Sequence, residues 1–182
     1  MDISAQAVKE LREKTGAGVM DCKKALQESG GNVEKAVEAL RQKGLAKSSK
    51  VAGREVSQGL IESYIHTGGR IGALVEVNCE TDFVARTPEF RTLAREVAMQ
   101  VASMDPAEVG TLEGGSGAGS GNALLDQEYI RDPRKTIRDL VKEAIGKLGE
   151  NIQISRFIRF EVGTAGGSQQ ATDSDSNNGT GA

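Results

Sequence analysis

The hydrophobic periodicity of the chain changes near Leu60, and this change most constrains the fold. Before it, apolar residues recur at helical spacing. After it, "LIESYIH" and "IGALVEVN" have the character of β-strands and are separated by "TGGR", whose paired glycines are typical of a hairpin turn. We therefore expect an α+β fold, in which a helical part is followed by an antiparallel sheet.

The N-terminal part predicts three short helices. Ser4 is a candidate cap for the first helix, and "VMDCKKALQES" covers the second. The third is expected to start after Asn32 and to end before Gly44, because four of its apolar residues are spaced i, i+3, i+4, i+7: Val33, Ala36, Val37 and Leu40. We expect a three-helix domain at residues 1–45, then a polar linker or frayed helix at 46–58.

A long amphipathic helix is predicted after the hairpin. Pro88 stands in its first turn, where proline is favoured. Its apolar stripe consists of Phe90, Leu93, Ala94, Val97, Ala98 and Val101. The stretch 110–122 is so rich in Gly and Ser that it predicts a flexible insert without secondary structure.

Beyond the insert, the chain predicts one more helix and a third strand. Thr136 and Asp139 have the spacing of a capping box at the start of the helix, which Gly149 closes. The following "NIQISRFIRFEV" alternates as a strand does. We expect residues 59–162 to form a small antiparallel three-stranded sheet backed by helices, and 163–182 to be a disordered tail.

Composition narrows the function classes. The net charge of −3 over 182 residues argues against a protein that grips phosphate backbones, so no direct nucleic-acid partner is expected. No apolar run approaches the length of a membrane span, and the first residues do not resemble a signal peptide. We expect a cytoplasmic protein with reduced cysteines, with the plastid stroma after processing as the alternative.

Catalytic and cofactor motifs are scarce. The glycine-rich "GGSGAGSGN" lacks the Lys that a phosphate-binding P-loop needs, and two Cys with one His are too few for a structural zinc site. Cys79 and His66 could in principle form a Cys–His nucleophile, although a half-buried Cys and a hairpin-end His are the simpler interpretation. We expect a non-enzyme without metal or cofactor.

The segment "CETDFVART" places Phe83 directly after a predicted strand. A large aromatic side chain there must either fold back into the core or meet a partner. Both interpretations remain open on the local sequence alone.

Longer motifs resemble the elongation factor Ts family. They are "LREKTGAGVMDCKKAL" at 11–26 and "NCETDFVART" at 78–87. "LDQEYIRD" and "KLGENIQISRFIRFE" look like the C-terminal core of the same family. The resemblance implies a nucleotide exchange factor for elongation factor Tu, and it implies that the domain at 1–45 is ubiquitin-associated-like.

The resemblance also implies site residues. One loop would dock on the nucleotide domain of elongation factor Tu and dislocate Mg²⁺, with Phe83 in an apolar pocket; its residues are Thr81, Asp82, Phe83 and Val84. In the N-terminal domain, Arg12, Val19 and Met20 match contact positions, although Met20 could equally be a core residue.

One departure from the family concerns the Gly/Ser insert, which stands where a charged helical stretch is expected. The sheet raises a further expectation, because "GALVEVN" puts apolar residues on both of its faces. A homodimer joined through the sheet would cover the second face.

Two rival functions remain: a ubiquitin-associated-type adaptor, and an RNA-binding accessory of translation that uses "KSSKVAGR".

Overall fold

The computed structural model describes residues 3–112, 122–164 and 168–171, except for the Leu45 side chain and those of 168–171. The described residues form two compact units. The first contains residues 3–55 together with 142–151, and the second contains the remaining described residues. Among the described residues, no helix has the length and apolarity that crossing a bilayer requires.

The helices and strands follow the predicted order, with additions. The helices are α1 (Ala5–Thr15), α2 (Val19–Glu28), α3 (Val33–Val51), α4 (Asp82–Ala85), α5 (Pro88–Met104) and α6 (Ile137–Leu148). The strands are β1 (Gln58–Ile65), β2 (Ile71–Cys79), β3 (Glu128–Tyr129), β4 (Asp132–Thr136), β5 (Ile152–Glu161) and β6 (Ser168–Ala171).

The first unit contains the three predicted N-terminal helices. The side chains of Ser4 and Asn32 cap α1 and α3, as the sequence predicts. The helices share one small core, whose buried residues are Val8, Leu11, Cys22, Ala25, Leu26 and Ala36. These residues lie at the helical spacing that made the helices recognisable.

The predicted end of the third helix is wrong. α3 does not stop before Gly44 but continues to Val51, so residues 46–51 of the predicted linker are helical. Gly44 lies inside the helix because it is a contact point: a Cβ added to Gly146 would lie 2.7 Å from the Gly44 Cα. This close approach of two backbones requires glycine at position 146, whereas a Cβ added to Gly44 would lie 3.8 Å from the Gly146 Cα, an ordinary contact.

The second unit is built on an antiparallel sheet in the order β1-β2-β5-β6. The three predicted strands are present as neighbours. The fourth, β6, pairs with β5 and comes from 163–182, so the predicted disorder of this tail is wrong at 168–171. Residues 165–167 and 172–182 of the tail lie outside the described residues.

One face of the sheet is covered by α5, which contacts β1, β2 and β5. Ala73, Val75 and Val77 of β2 are buried on this face, together with the whole predicted stripe of α5. The alternate residues of the strand and the apolar stripe of the helix therefore pack against each other in one core.

A buried amide organises the chain after the Gly/Ser insert, most of which (113–121) lies outside the described residues. Gln100 of α5 is fully buried and donates to Gln127 Oε1 and to the Glu128 carbonyl at 3.1 and 3.0 Å. Its own Oε1 accepts from Ile130 N at 3.1 Å. These bonds hold the hairpin β3–β4, which the sequence does not predict.

Candidate partner-binding site

The segment "TDFV" forms a helical turn rather than the predicted loop. α4 begins directly after β2, and Thr81 Oγ1 accepts a hydrogen bond from Val84 N at 3.4 Å. Threonine at this capping position favours the turn. Ala85 is buried and anchors its inner side. The structure thus places the predicted residues Thr81 to Val84 together on one turn.

Two further side chains fix this turn to the second unit. Cys79, buried at the end of β2, donates from Sγ to the Thr81 carbonyl at 3.2 Å. Thr87 Oγ1 donates to the Val84 carbonyl at 2.8 Å and accepts from Phe90 N at 3.2 Å. The turn is therefore held at both of its ends. Thr87 is a residue that sequence reasoning missed, although a Thr-Pro pair before a helix signals a cap.

The phenylalanines of the chain show how unusual Phe83 is. Phe90 and Phe157 are 0% and 3% exposed and belong to the core. Phe83 is 79% exposed, the largest exposed fraction among the large apolar side chains described. The interpretation of Phe83 as a core residue is therefore wrong, since burial is what stabilises a core aromatic side chain.

Two opposite charges flank the exposed ring. Arg86 Nη2 lies 2.7 Å from Asp82 Oδ2, one helical turn away; the Arg86 side chain is largely exposed and that of Asp82 about half exposed. Exposed pairs of this kind contribute about 0–1 kcal/mol, because water screens them. The pair adds little to stability and leaves both groups accessible beside Phe83.

The predicted residues of the N-terminal domain lie at the surface of the first unit. Met20 is 74% and Val19 is 52% exposed at the start of α2, and Arg12 is also exposed. The core interpretation of Met20 is wrong, because α2 turns its other face inward. The N-cap of α2 is Gly18, which makes no side-chain capping bond.

The Cys–His alternative is also wrong. Cys79 pairs with Gln58 at one end of the β1–β2 ladder, whereas His66 follows Ile65 at the opposite end. His66 Nδ1 instead lies 3.2 Å from the Tyr64 hydroxyl. Within residues 3–112 and 122–164, no group of three or more metal-ligating side chains comes together.

The groups whose pKa is clearly shifted have structural roles. A hydrogen bond from Lys43 lowers the pKa of Asp21 and links α2 to α3. Burial, with a hydrogen bond to Glu96, raises the pKa of Tyr129 to about 12 and ties β3 to α5. Neither group belongs to the predicted contact residues.

A second apolar surface lies on the sheet face opposite α5. We call it the open sheet face; its exposed apolar residues are Ile61, Ile65, Leu74 and Phe160. The strand register puts them on one side, since Leu74 pairs with Ser63 and Ile158, and Gly72 pairs with Ile65 and Phe160. The apolar second face predicted from "GALVEVN" is present.

The fold defines an α+β protein with a three-helix N-terminal unit and an antiparallel sheet backed by a long helix. The family model described as elongation factor TS matches residues 2–114, more than half of the chain. This chain belongs to the elongation factor Ts family, a family of translation elongation factors.

Comparison with curated relatives supports the same family. The chain is 50% identical over 194 residues to elongation factor Ts of Thermoanaerobacter sp. (strain X514), covering 88% of this chain and 95% of that protein. It is 52% identical to that of Caldanaerobacter subterraneus subsp. tengcongensis, covering 88% and 97%. The chloroplastic elongation factor Ts of Pyropia yezoensis is 50% identical, with 90% of each chain covered. Since these matches exceed 182 residues in length, the relatives contain residues that this chain lacks.

Proposed function

We propose that this chain is a guanine nucleotide exchange factor for elongation factor Tu. It promotes GDP release by inserting α4 at the nucleotide domain and dislocating Mg²⁺. The observation that carries the proposal is Phe83, a 79% exposed ring on a preformed turn, in a chain of this family. Thr81, Asp82 and Val84 complete the contact.

The physical basis is an aromatic anchor. A ring that becomes buried at the centre of an interface supplies about 2–4 kcal/mol. GDP and Mg²⁺ depend on loops whose backbone groups and ligands are held in place, so a small displacement of those loops removes much of the affinity. Phe83 is exposed before binding, and its burial supplies free energy for that displacement.

Thermodynamic linkage then produces exchange. A factor that binds the nucleotide-free form better than the GDP form must weaken GDP binding by the same ratio. This requires no covalent step by the chain, so we propose that it is not an enzyme and uses no cofactor. Arg12, Val19 and Met20 provide a second contact, through a ubiquitin-associated-like domain, that adds affinity.

We further propose a homodimer joined through the open sheet face. Four apolar residues of this face are exposed in one chain, beside the Glu76–Arg156 ion pair, and a two-fold axis would let the same face cover its copy. Light scattering at micromolar concentration tests this: a dimer mass is expected, and a monomer mass would contradict it.

The relatives are bacterial and chloroplastic. We place the chain in the cytoplasm, or in the plastid stroma after processing.

The exchange activity is tested by the release of fluorescent GDP from purified elongation factor Tu, with and without this chain. We expect release to accelerate in proportion to the added chain until it saturates. Binding without acceleration would instead indicate an adaptor. Binding that collapses with added salt would indicate a contact dominated by phosphate charges, as in RNA binding.

A further inference from the structure

The turn that carries Phe83 is too short to be stable by itself. α4 has four residues, and forming a first helical turn costs more conformational entropy than its hydrogen bonds return. Its order must therefore come from groups outside it. In the second unit, these groups include the Cys79 thiol, the capping Thr81 hydroxyl, and the hydroxyl and N–H of Thr87, which both donate to the Val84 carbonyl.

Thr87 differs from the other two because its hydroxyl joins two helices. It accepts a hydrogen bond from Phe90 N and so caps α5. The same oxygen donates its proton to the Val84 carbonyl, at the end of α4. α5 is rooted in the core by Phe90, which is fully buried. One hydroxyl thus connects a rigid core helix to the turn that presents the exposed ring.

We propose that Thr87 is a positioning residue for nucleotide exchange, which holds α4 ordered so that Phe83 is presented ready to bind. The inference rests on the exchange function proposed above. A turn that is ordered before binding need not be ordered during it, and this saving appears as affinity. The loss of the Thr87 bond should therefore raise the concentration of this chain needed for half-maximal exchange, while the maximal rate is retained.

Three substitutions separate the two bonds. Thr87→Ser keeps a hydroxyl that can both accept and donate. Thr87→Asp keeps the acceptor for Phe90 N, and Asp is a good cap, but an ionised carboxylate cannot donate to the Val84 carbonyl. Thr87→Val keeps the shape and loses both bonds. Only the aspartate variant removes the hydroxyl bond to α4 while sparing the cap of α5. The Thr87 N–H, which also donates to the Val84 carbonyl at 3.0 Å, is present in all three variants.

In the exchange assay, Thr87→Asp and Thr87→Val should raise the half-maximal concentration about fivefold, as expected for one lost hydrogen bond. Thr87→Ser should stay within about twofold of the original chain. NMR order parameters of the Phe83 amide supply a readout that needs no partner: they should fall from rigid to flexible values in the aspartate and valine variants only.

Thr136→Val is the matched control. Thr136 Oγ1 also accepts from a backbone N–H, that of Asp139, and donates to its carboxylate. Its loss should lower the melting temperature without changing the half-maximal concentration. The inference is overturned if Thr87→Asp keeps the original half-maximal concentration and rigid Phe83 order parameters. If Phe83→Ala has no effect on exchange, the proposed function fails instead, and the order parameters still decide whether Thr87 holds the turn.

Discussion

The α4 turn and the open sheet face both expose apolar side chains of the second unit, but they are built differently. On α4 a single ring projects from a turn that hydrogen bonds hold at both ends. On the sheet, Ile61, Ile65, Leu74 and Phe160 spread over three strands. The turn offers one directed anchor, and the sheet offers a broad surface to which several side chains contribute.

The comparison teaches that exposure alone does not identify the use of a surface. A lone aromatic side chain on a rigid support suits insertion into a pocket, where one side chain carries most of the binding energy. A sheet face suits packing against a similar face, with the energy spread over many side chains. The two surfaces should therefore respond independently to substitution.

The largest effect is expected on the open sheet face. Leu74→Asp would place an unpaired carboxylate from each chain at the proposed dimer contact, and it should weaken the dimer at least about 100-fold. Analytical ultracentrifugation measures this, with Leu74→Met as the control that keeps an apolar side chain. The maximal exchange rate should persist, since α4 is untouched. A variant that stays dimeric would remove the sheet from the interface.

Next in size is Phe83→Ala. The loss of this anchor should slow catalysed GDP release by one to two orders of magnitude, which corresponds to about 1.4–2.7 kcal/mol and lies at the lower end of the range for such anchors. Circular dichroism should change little, because the ring is exposed. Met104→Ala, which shortens another exposed apolar side chain of the second unit, should leave release unchanged. Equal release by the Phe83 variant and the original chain would contradict the role of the turn.

A smaller effect is expected from Asp82→Ala, because the Asp82–Arg86 pair is exposed and screened. We expect a loss of exchange of a few-fold. Arg86→Ala removes the same ion pair from its other side. If the ion pair matters only for the stability of the turn, both variants should lose exchange activity to the same extent. A larger loss for Asp82→Ala would show that the carboxylate meets the partner, and an unchanged rate would remove Asp82 from the site.

The smallest effect concerns stability, away from both surfaces. The pKa of Tyr129 is raised from 10.0 to about 12 in the folded chain, so the folded state keeps this proton to higher pH than the unfolded state. This stabilisation is complete below the ordinary pKa and is lost as the pH rises through about 12. In denaturant titrations between pH 10.0 and about 12, the free energy of unfolding of Tyr129→Phe should fall less with pH than that of the original chain. An unchanged pH dependence would contradict the shift.

The sequence predicts those parts of the fold whose periodicity reflects burial. The stripe of α5 and the alternation of β2 are confirmed because each element buries one continuous face. The alternation predicted for β5 is confirmed only as far as Ile154, because a bulge opposite Glu76 and Val77 then shifts the register and buries Phe157 instead of Ile158. The end of α3 could not be predicted, because Gly44 lowers helix propensity locally while its contact with Gly146 comes from far along the chain. β3 and β4 depend in the same way on the distant Gln100 amide.

The candidate site shows the same division. The position of Phe83 just after a strand draws attention to it, but the local sequence leaves a core role and a partner role open, and only the family resemblance implies the contact. α4 cannot be found, since four residues are too few for a helical period. The two hydrogen bonds of the Thr87 hydroxyl cannot be predicted from the sequence, because one of them depends on where the Val84 carbonyl lies.

The contact between Gly44 and Gly146 has a consequence for the order of folding. The first unit is discontinuous, and its last part, 142–151, follows the others after more than eighty intervening residues. On the ribosome, α1 to α3 emerge early and can gather their small core, but the Gly44 side of α3 stays uncovered until α6 has been synthesised. Contacts between such distant segments close slowly, because a long loop must first be ordered. The N-terminal unit therefore begins to fold first, but it is completed only after most of the chain has been synthesised.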